Sequence, residues 1–437
     1  MQPRRYDLNR LLTQYSDNVI RLSAGEGMFL QKKISYLISQ YPAISHTFIL
    51  REVLHLKKMG LDLISASINQ SQRERSRLTT EEQLEQDVTY YVKQAGVLGA
   101  LKSLCGLLFR RPLSLFKAEA YAVKMAGLDL RKQFYHQLYF IEALMVANWM
   151  DANDSDRLHV HFASSVATVG IFVKKINNCF LSITVHGPDE FYLTGQHLLE
   201  EKIKVADKLF CISDFARSQL MKLSDFEHWN KFQICRLGVD TEKFKRLDRV
   251  ENECPKVLSV GRLCPAKGQH LLVQAARTLA DRNLEFKLVI VGDGPDADSL
   301  KALSSKLDVN DYIDFVGSVN HDEVQDYYSA CDVFCLPSFA EGIPIVLMEA
   351  MAKEIPCVTS RIVGIPELID DQIDGLLTPP SNIEALANAL ELLLRDKELR
   401  EALGKQARKK VNDKYHLEKN MTFYGEKFKE YVAESSK

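Results

Sequence analysis

Twice along this chain a β-rich run gives way to an amphipathic helix and then to another β-rich run, and that recurring change of period restricts the fold more than any other feature. From Lys33 the run KISYLIS leads, past Pro42, into TFILREVLHLKKM, where Ile49, Val53 and Leu56 recur at helical spacing until Gly60 stops the helix. LDLISASI follows as a second strand. Further strands are expected at 158–162, 181–185, 208–212 and 232–236, with helical segments between most of them. The stretch GVDTEKFKRLDRVENECP, 238–255, is charged and has neither period, which suits a linker. Beyond it the alternation restarts with 257–260, a helix from 268 to about 282, then 286–291, 313–315, 333–336 and 357–359. Strands alternating with helices imply a parallel sheet covered on both faces.

A chain of 437 residues exceeds what one hydrophobic core usually organises. We therefore expect an α/β protein of two doubly wound units, 33–245 and 254–412, facing a cleft between the carboxyl ends of their sheets, where ligands of such folds bind. Residues 1–32 form an extension without a strong period. Residues 413–437 read as a helix able to cross back to the first unit. A helical, locally basic insertion spans 97–135, with Lys102, Arg110, Arg111, Lys117, Lys124, Arg131 and Lys132 against Glu119 and Asp129.

The chain as a whole is neither disordered in composition nor basic enough for bulk attraction to nucleic acid, since 56 basic side chains face 58 acidic ones and 46% of residues are hydrophobic. Its nine cysteines show no Cys-x-x-Cys pair, and Cys331 and Cys335 sit at an apolar run as small buried thiols. Scattered thiols suit a reducing compartment. The amino-terminal MQPRRYDLNRLLTQYSDN lacks an apolar core of signal-peptide length, and the uncharged stretch 158–173 is interrupted by His159, His161, Ser164 and Ser165. A cytoplasmic protein without a membrane span is expected.

The strongest chemical signal is PSFAEGIPIVLMEAMAKEIPCV. Glu341 ends a loop after a strand, Gly342, Ile343 and Pro344 follow, and a helix then carries Glu349 in its second turn. Pro344 fits the first helical turn, where a missing N–H costs nothing, and the N–H groups of Ile345 and Val346 would present positive partial charge to a diphosphate. Glu341 and Glu349 could accept hydroxyl hydrogens on either side of it, one from a sugar and one from a ribose. The plainer alternative makes Glu341 a capping acid and Glu349 a solvated helix residue. In VGRLCPAKGQHLLVQAA, Arg262 and Lys267 lie at the carboxyl end of a strand, placed to neutralise a leaving diphosphate unless they are ordinary loop charges. VIVGDGP and FVGSV each put Gly after a strand, and Val316 and Gly317 are assigned to the nucleotide side of the same edge. LSITVHGPDEF sets His186 directly after a strand, either as a structural histidine or as a cleft residue.

EGIPIVLMEAMA together with VGRLCPAKG, HGPDEF and CISDFARSQL resembles glycosyltransferase family four, the retaining GT-B enzymes with two Rossmann-like domains, and especially the branch that builds colanic acid and other bacterial exopolysaccharides. The similarity runs from about 34 to about 380, through SQYPAISHTFILREV, HVHFASSVATVG, RLGVDTEKF and GIPELIDDQIDGLLTPP. It implies transfer of a hexose from a UDP- or GDP-sugar to a glycan or polyprenyl-linked acceptor, with retention of configuration and with no metal or other cofactor. It implies that Glu341 contacts the donor sugar and Glu349 the ribose, that Arg262 and Lys267 hold the diphosphate, and that His186 is the active-site histidine. The loop 42–47, with Ser45 and Thr47, corresponds to the acceptor-side loop. Where this branch often has Ser-Glu-Thr-Phe, this chain has Ser45-His46-Thr47-Phe48, which removes the acid from that position. The rival readings are a GT-B sugar-nucleotide epimerase and a non-catalytic sugar-nucleotide-binding protein.

The insertion carries one further expectation. Leu98, Leu101, Leu104, Leu107 and Leu108 recur at helical spacing, Phe109, Leu113, Leu115 and Phe116 flank Pro112, and cations are interspersed. Such a segment either binds an anionic membrane surface on the cytoplasmic side or packs as an amphipathic helix with its basic face in water.

Overall fold

In a computed structural model of the chain, residues 33–434 are described apart from 44–46, 72–73, 76–77, 193, 247–252 and 321–322. Seven parallel strands form the first sheet: β1 (Lys33–Gln40), β2 (Leu63–Asn69), β3 (Tyr90–Tyr91), β4 (Ser155–His161), β5 (Phe180–Val185), β6 (Lys208–Cys211) and β7 (Phe232–Ile234), in the order β3-β2-β1-β4-β5-β6-β7. Six more form the second: β8 (Lys256–Val260), β9 (Lys287–Val291), β10 (Ile313–Gly317), β11 (Val333–Leu336), β12 (Cys357–Ser360) and β13 (Leu376–Thr378), in the order β10-β9-β8-β11-β12-β13. Both orders are doubly wound, and in each the direction of winding reverses beside the first strand. Loops leaving the two strands at such a reversal diverge and open a crevice at the carboxyl edge of the sheet. In the first sheet these are β1 and β4; in the second they are β8 and β11.

The helices that matter here are α1 (Thr47–Lys58), α2 (Gly96–Arg110), α3 (Pro112–Ala126), α4 (Leu130–Ala152), α5 (Asp214–Lys222), α6 (Gln269–Asp281), α7 (Ile345–Ala352) and α8 (Leu417–Glu434). α1 buries Ile49, Val53 and Leu56 on the first sheet, as their spacing requires, and buries Glu52 among them. α6 buries Leu272, Val273, Ala275, Ala276 and Leu279 on the second. α8 returns to the first sheet, where Tyr424 and Phe428 join Ile34, Tyr36, Ile49 and Val53 in one apolar cluster.

Two stretches show packing that the sequence pattern does not specify. The charged segment after Gly238 is not a bare connection, because Val239 and Phe244 are fully buried against Leu258, Phe334 and Leu347 of the second unit. Val239 also exchanges backbone hydrogen bonds with the chain entering α8, donating to Tyr415 at 2.9 Å and accepting from Leu417 at 3.0 Å. Two apolar residues five apart give no period, so the pattern could not announce them. The basic segment from 97 to 135 is built into the first core: Leu107, Leu115, Ala118 and Ala122 are buried there with Phe140 of α4. Tyr121 and Met125 pack partly against the same core, whereas Leu98, Phe109 and Leu113 face outward, 81%, 92% and 75% exposed.

Candidate active site

The loops leaving β8 and β11 are tied to each other. Ala266 accepts backbone hydrogen bonds from Phe339 at 2.8 Å and Ala340 at 3.3 Å, and Gly268 turns with φ 64° where a Cβ would lie 2.3 Å from the Pro337 carbonyl oxygen. This brings Lys267 to Glu341. The ammonium donates to Glu341 Oε1 at 2.6 Å, and the Ser338 hydroxyl donates to the same oxygen at 2.7 Å. Glu341 is only 8% exposed, so its charge is matched at close range by Lys267. Arg262 is exposed on the same loop, and its carbonyl accepts from Gln269 at the start of α6 at 3.1 Å.

Opposite this loop stands the turn after β5. Glu190 gathers it: its carboxylate accepts from the backbone N–H of His186 at 2.6 Å, of Gly187 at 2.8 Å, and of Ala163. Burial pushes the Glu190 carboxyl up and the neighbouring Lys202 ammonium down, while the amide hydrogens and Lys202 favour the carboxylate. The turn touches the second unit at Gly342, where a Cβ would lie 2.2 Å from the His186 carbonyl oxygen. Thus Lys267, Glu341, Gly342 and His186 form one contiguous group drawn from both sheets. The His186 ring packs against both Phe48 of α1, with centroids 4.9 Å apart, and Phe162, at 4.4 Å.

Glu349 is buried in α7, not solvated, and accepts from the Tyr328 hydroxyl at 3.1 Å. Burial pushes its carboxyl up to about 7, against the lowering pull of Arg51 in α1, the Tyr328 hydroxyl and Lys243. Pro344 stands one place earlier than its expected position in the first turn: it is the N-cap, with ψ 121°, and its carbonyl accepts from Leu347 at 3.2 Å. A proline followed by a continuous apolar run leaves that boundary to backbone geometry, since proline suits either position. Ile345 and Val346 remain the first two helical residues, whose N–H groups have no acceptor within the helix. Val316 and Gly317 end β10, the outer strand, two strands from the Arg262 loop. Ile343 is buried behind Gly342. Thr47 opens α1, and Ser45 lies outside the described residues.

Two comparisons decide the family. Residues 240–410 match the family model "Glycosyl transferases group 1", and an uncharacterized glycosyltransferase of Haemophilus influenzae is 34% identical over 304 residues, 69% of this chain and 83% of that protein. The chain is a group 1 glycosyltransferase. Amylovoran biosynthesis glycosyltransferase AmsK of Erwinia amylovora is 27% identical over 376 residues, 82% of this chain and 89% of its own. Among solved structures, sucrose-phosphate synthase from Thermosynechococcus elongatus aligns with a TM-score of 0.73 at 19% identity, over 92% of this chain and 100% of that one. Anabaena HepE in complex with UDP and glucose aligns at 0.68 and 16%, over 91% and 100%. The fold is GT-B, two Rossmann-like α/β units.

In this group 1 glycosyltransferase a buried polar cluster lies behind His186, which the sequence motifs do not mark. His161 Nδ1 is 3.1 Å from His186 Nε2, and His161 Nε2 is 3.0 Å from Glu52 Oε1. His159, two residues back on the same face of β4, bonds Ser182 at 2.8 Å and Thr184 at 3.1 Å, and burial holds its pKa well below the usual histidine range. Glu52, His159 and His161 offer ligand atoms within 4.8 Å of one another, the one grouping able to hold a metal among the described residues. Those atoms already hydrogen-bond to protein groups. A glutamate at the buried i, i+3, i+4 face of α1 and two histidines at period two on a strand were the available signals. No helix among the described residues is long and apolar enough to cross a membrane.

Proposed function

We propose that this glycosyltransferase moves a hexose from a UDP- or GDP-sugar to a glycan or polyprenyl-linked acceptor, with retained configuration, in bacterial polysaccharide biosynthesis. The observation that carries the reading is the Lys267–Glu341 pair at the reversal point of the second sheet, abutting the His186 turn and followed by the open amino end of α7. In that arrangement Arg262, Lys267 and the N–H groups of Ile345 and Val346 take the charge of the departing diphosphate. Glu341 accepts from the donor sugar, Glu349 from the ribose. The sugar–phosphate bond breaks with its electron pair leaving on the diphosphate, the acceptor oxygen bonds the anomeric carbon from the same face, and the acceptor proton passes to the departing phosphate oxygen. The names of relatives support the polysaccharide context, since they include amylovoran and colanic acid biosynthesis glycosyltransferases, and HepE was solved with UDP-glucose. No metal is assigned a part.

The acceptor side of the reading places the protein in the cytoplasm on the inner face of the cell membrane. Exposed Leu98, Leu101, Leu108, Phe109, Leu113 and Phe116 lie on α2 and α3, with exposed Lys102, Lys117 and Lys124 on the same two helices. Apolar side chains flanked by cations suit an anionic leaflet.

A thermal-shift panel of UDP, GDP, ADP and their sugars tests the donor, because a ligand held only by the folded chain raises the melting temperature by an amount set by its concentration over its Kd. Stabilisation by UDP or GDP and their sugars is expected. No response to any nucleoside diphosphate would overturn the assignment.

A further inference from the structure

Three buried side chains stand in a row, and the donor reading gives a task only to the His186 end of it. Glu52 comes from the middle of α1, His161 from the end of β4 and His186 from the turn after β5. Their residues are 3%, 0% and 8% exposed. Glu52 Oε1 also accepts the Tyr36 hydroxyl at 2.9 Å, and the Tyr424 hydroxyl of α8 lies 3.5 Å from that of Tyr36. Taking a carboxylate out of water costs several kcal/mol even after relaxation, and a site that needed only cohesion is filled as well by apolar side chains. The row has a direction as well as an energy. It ends on a histidine whose backbone meets Gly342 of the opposite unit.

The chemistry of the row sets the proton on each ring. An ionised carboxylate only accepts, so His161 carries its proton on Nε2, toward Glu52. A neutral His161 therefore accepts at Nδ1, and the partner at that atom, His186 Nε2, must be the donor. His186 is thereby held as its Nε2–H tautomer, with Nδ1 the accepting nitrogen of the ring. Should His186 gain a proton at Nδ1, its Nε2 proton can pass to His161 Nδ1, and the positive charge then lies beside the Glu52 carboxylate. Phe48 and Phe162 against the ring restrict its rotation.

We propose that Glu52 and His161 are positioning residues that fix the ring orientation and tautomer of His186, and that Tyr36 holds Glu52 in place for that purpose. The importance of this for transfer rests on the reading of His186 as part of the donor site; the wiring itself does not. Nuclear magnetic resonance of the full-length chain labelled with ring-15N histidine separates the two, with His186 assigned from the signal lost in His186→Gln. In the unsubstituted protein at neutral pH, His186 is expected as a single Nε2–H tautomer. A dominant Nδ1–H form, or a fast mixture of the two, overturns the proposal without any variant. Glu52→Gln can offer His161 either an oxygen or an amide hydrogen, and His161→Asn cuts the row; in each folded variant His186 is expected to become a mixture of tautomers. A purely structural role would lower the melting temperature and leave the tautomer as it was, and that result in either folded variant also overturns the proposal. Adding UDP, GDP and their sugars in turn reports on the other question: a row that behaves as expected while none of them moves the His186 signals keeps the wiring and removes His186 from the donor site.

Discussion

At the scale of single residues, charge at the second-sheet loops decides the chemistry. Lys267 holds its ammonium 2.6 Å from the mostly buried Glu341, so Lys267→Ala removes a cation and also leaves a carboxylate unmatched. Arg262 is exposed and its removal takes only the cation. Stabilisation of a developing anion by one such group is worth ~2–4 kcal/mol, or about 30- to 1000-fold in turnover. Steady-state kinetics should therefore show kcat falling by that range in both variants, with thermal stability lowered more by Lys267→Ala. Wild-type rates in both would remove the diphosphate assignment. Glu349 makes a prediction about pH. Its carboxyl is pushed up to about 7 from 4.5 by burial, so between those values the folded chain keeps a proton that the unfolded chain has lost. Stability from this group is thus greatest below pH 4.5 and falls as pH rises through about 7, by about 3 kcal/mol at most. Glu349→Gln escapes the loss, and its melting temperature should gain on the parent between pH 5 and pH 8 while donor affinity weakens. A constant difference across that interval would show that the carboxyl is ionised throughout.

Among the elements, the turn after β5 and the loop after β11 meet without room for a methyl group. A Cβ at Gly342 would lie 2.2 Å from the His186 carbonyl oxygen and 3.1 Å from Ile212. Gly342→Ala must part the two loops, and a displacement near 1 Å at reacting groups costs on the order of a hundredfold in rate. Circular dichroism should find the variant folded while turnover drops by that order; unchanged turnover would show that the contact is not maintained during reaction. α2 and α3 offer the other test at this scale. Arg110 and Arg111 lie 3.4 and 3.1 Å from Asp151 of α4, so reversing them would disturb helix packing as well as surface charge. Lys102, Lys117 and Lys124 are exposed and separate the two effects. Each contributes on the order of 1 kcal/mol near an anionic leaflet. Flotation with phosphatidylglycerol vesicles is expected for the parent at low salt and is expected to disappear when the three are changed to Glu. Equal flotation of both, or none by the parent, would leave these helices with no membrane role.

For the whole molecule, two sheets wound in the same order face each other through their switch-point loops, and the chain crosses between them twice. It leaves the first unit through Val239 and Phe244, buried in the second, and returns through α8, whose Tyr424 and Phe428 are buried in the first. Positive charge for a diphosphate is available at the cleft from Arg262, Lys267 and the start of α7 without a bridging cation. Turnover with the donor found by thermal shift should accordingly survive EDTA. Complete loss, restored by manganese, would require a metal and would turn attention to Glu52, His159 and His161 as its holders.

What could be read in the sequence was local. The periods of 2 and 3.6 marked β1, α1, β9 and α8 because the face a side chain occupies depends only on its neighbours within a few residues. The order of Arg262, Lys267, Glu341 and Glu349 around strand ends was legible for the same reason, and so was the family. Other features needed the tertiary structure. Lys267 and Glu341 are 74 residues apart, and Glu52 and His161 are 109 apart. Their contacts follow from which strands lie side by side at the reversal of each sheet, a property of the assembled sheet that no window of sequence contains. The same holds for Val239 and Phe244, whose burial comes from the neighbouring unit, and for the outward leucines of α2, whose spacing matched that of a core helix. A pattern states which face is apolar; only the packed structure decides whether anything covers it.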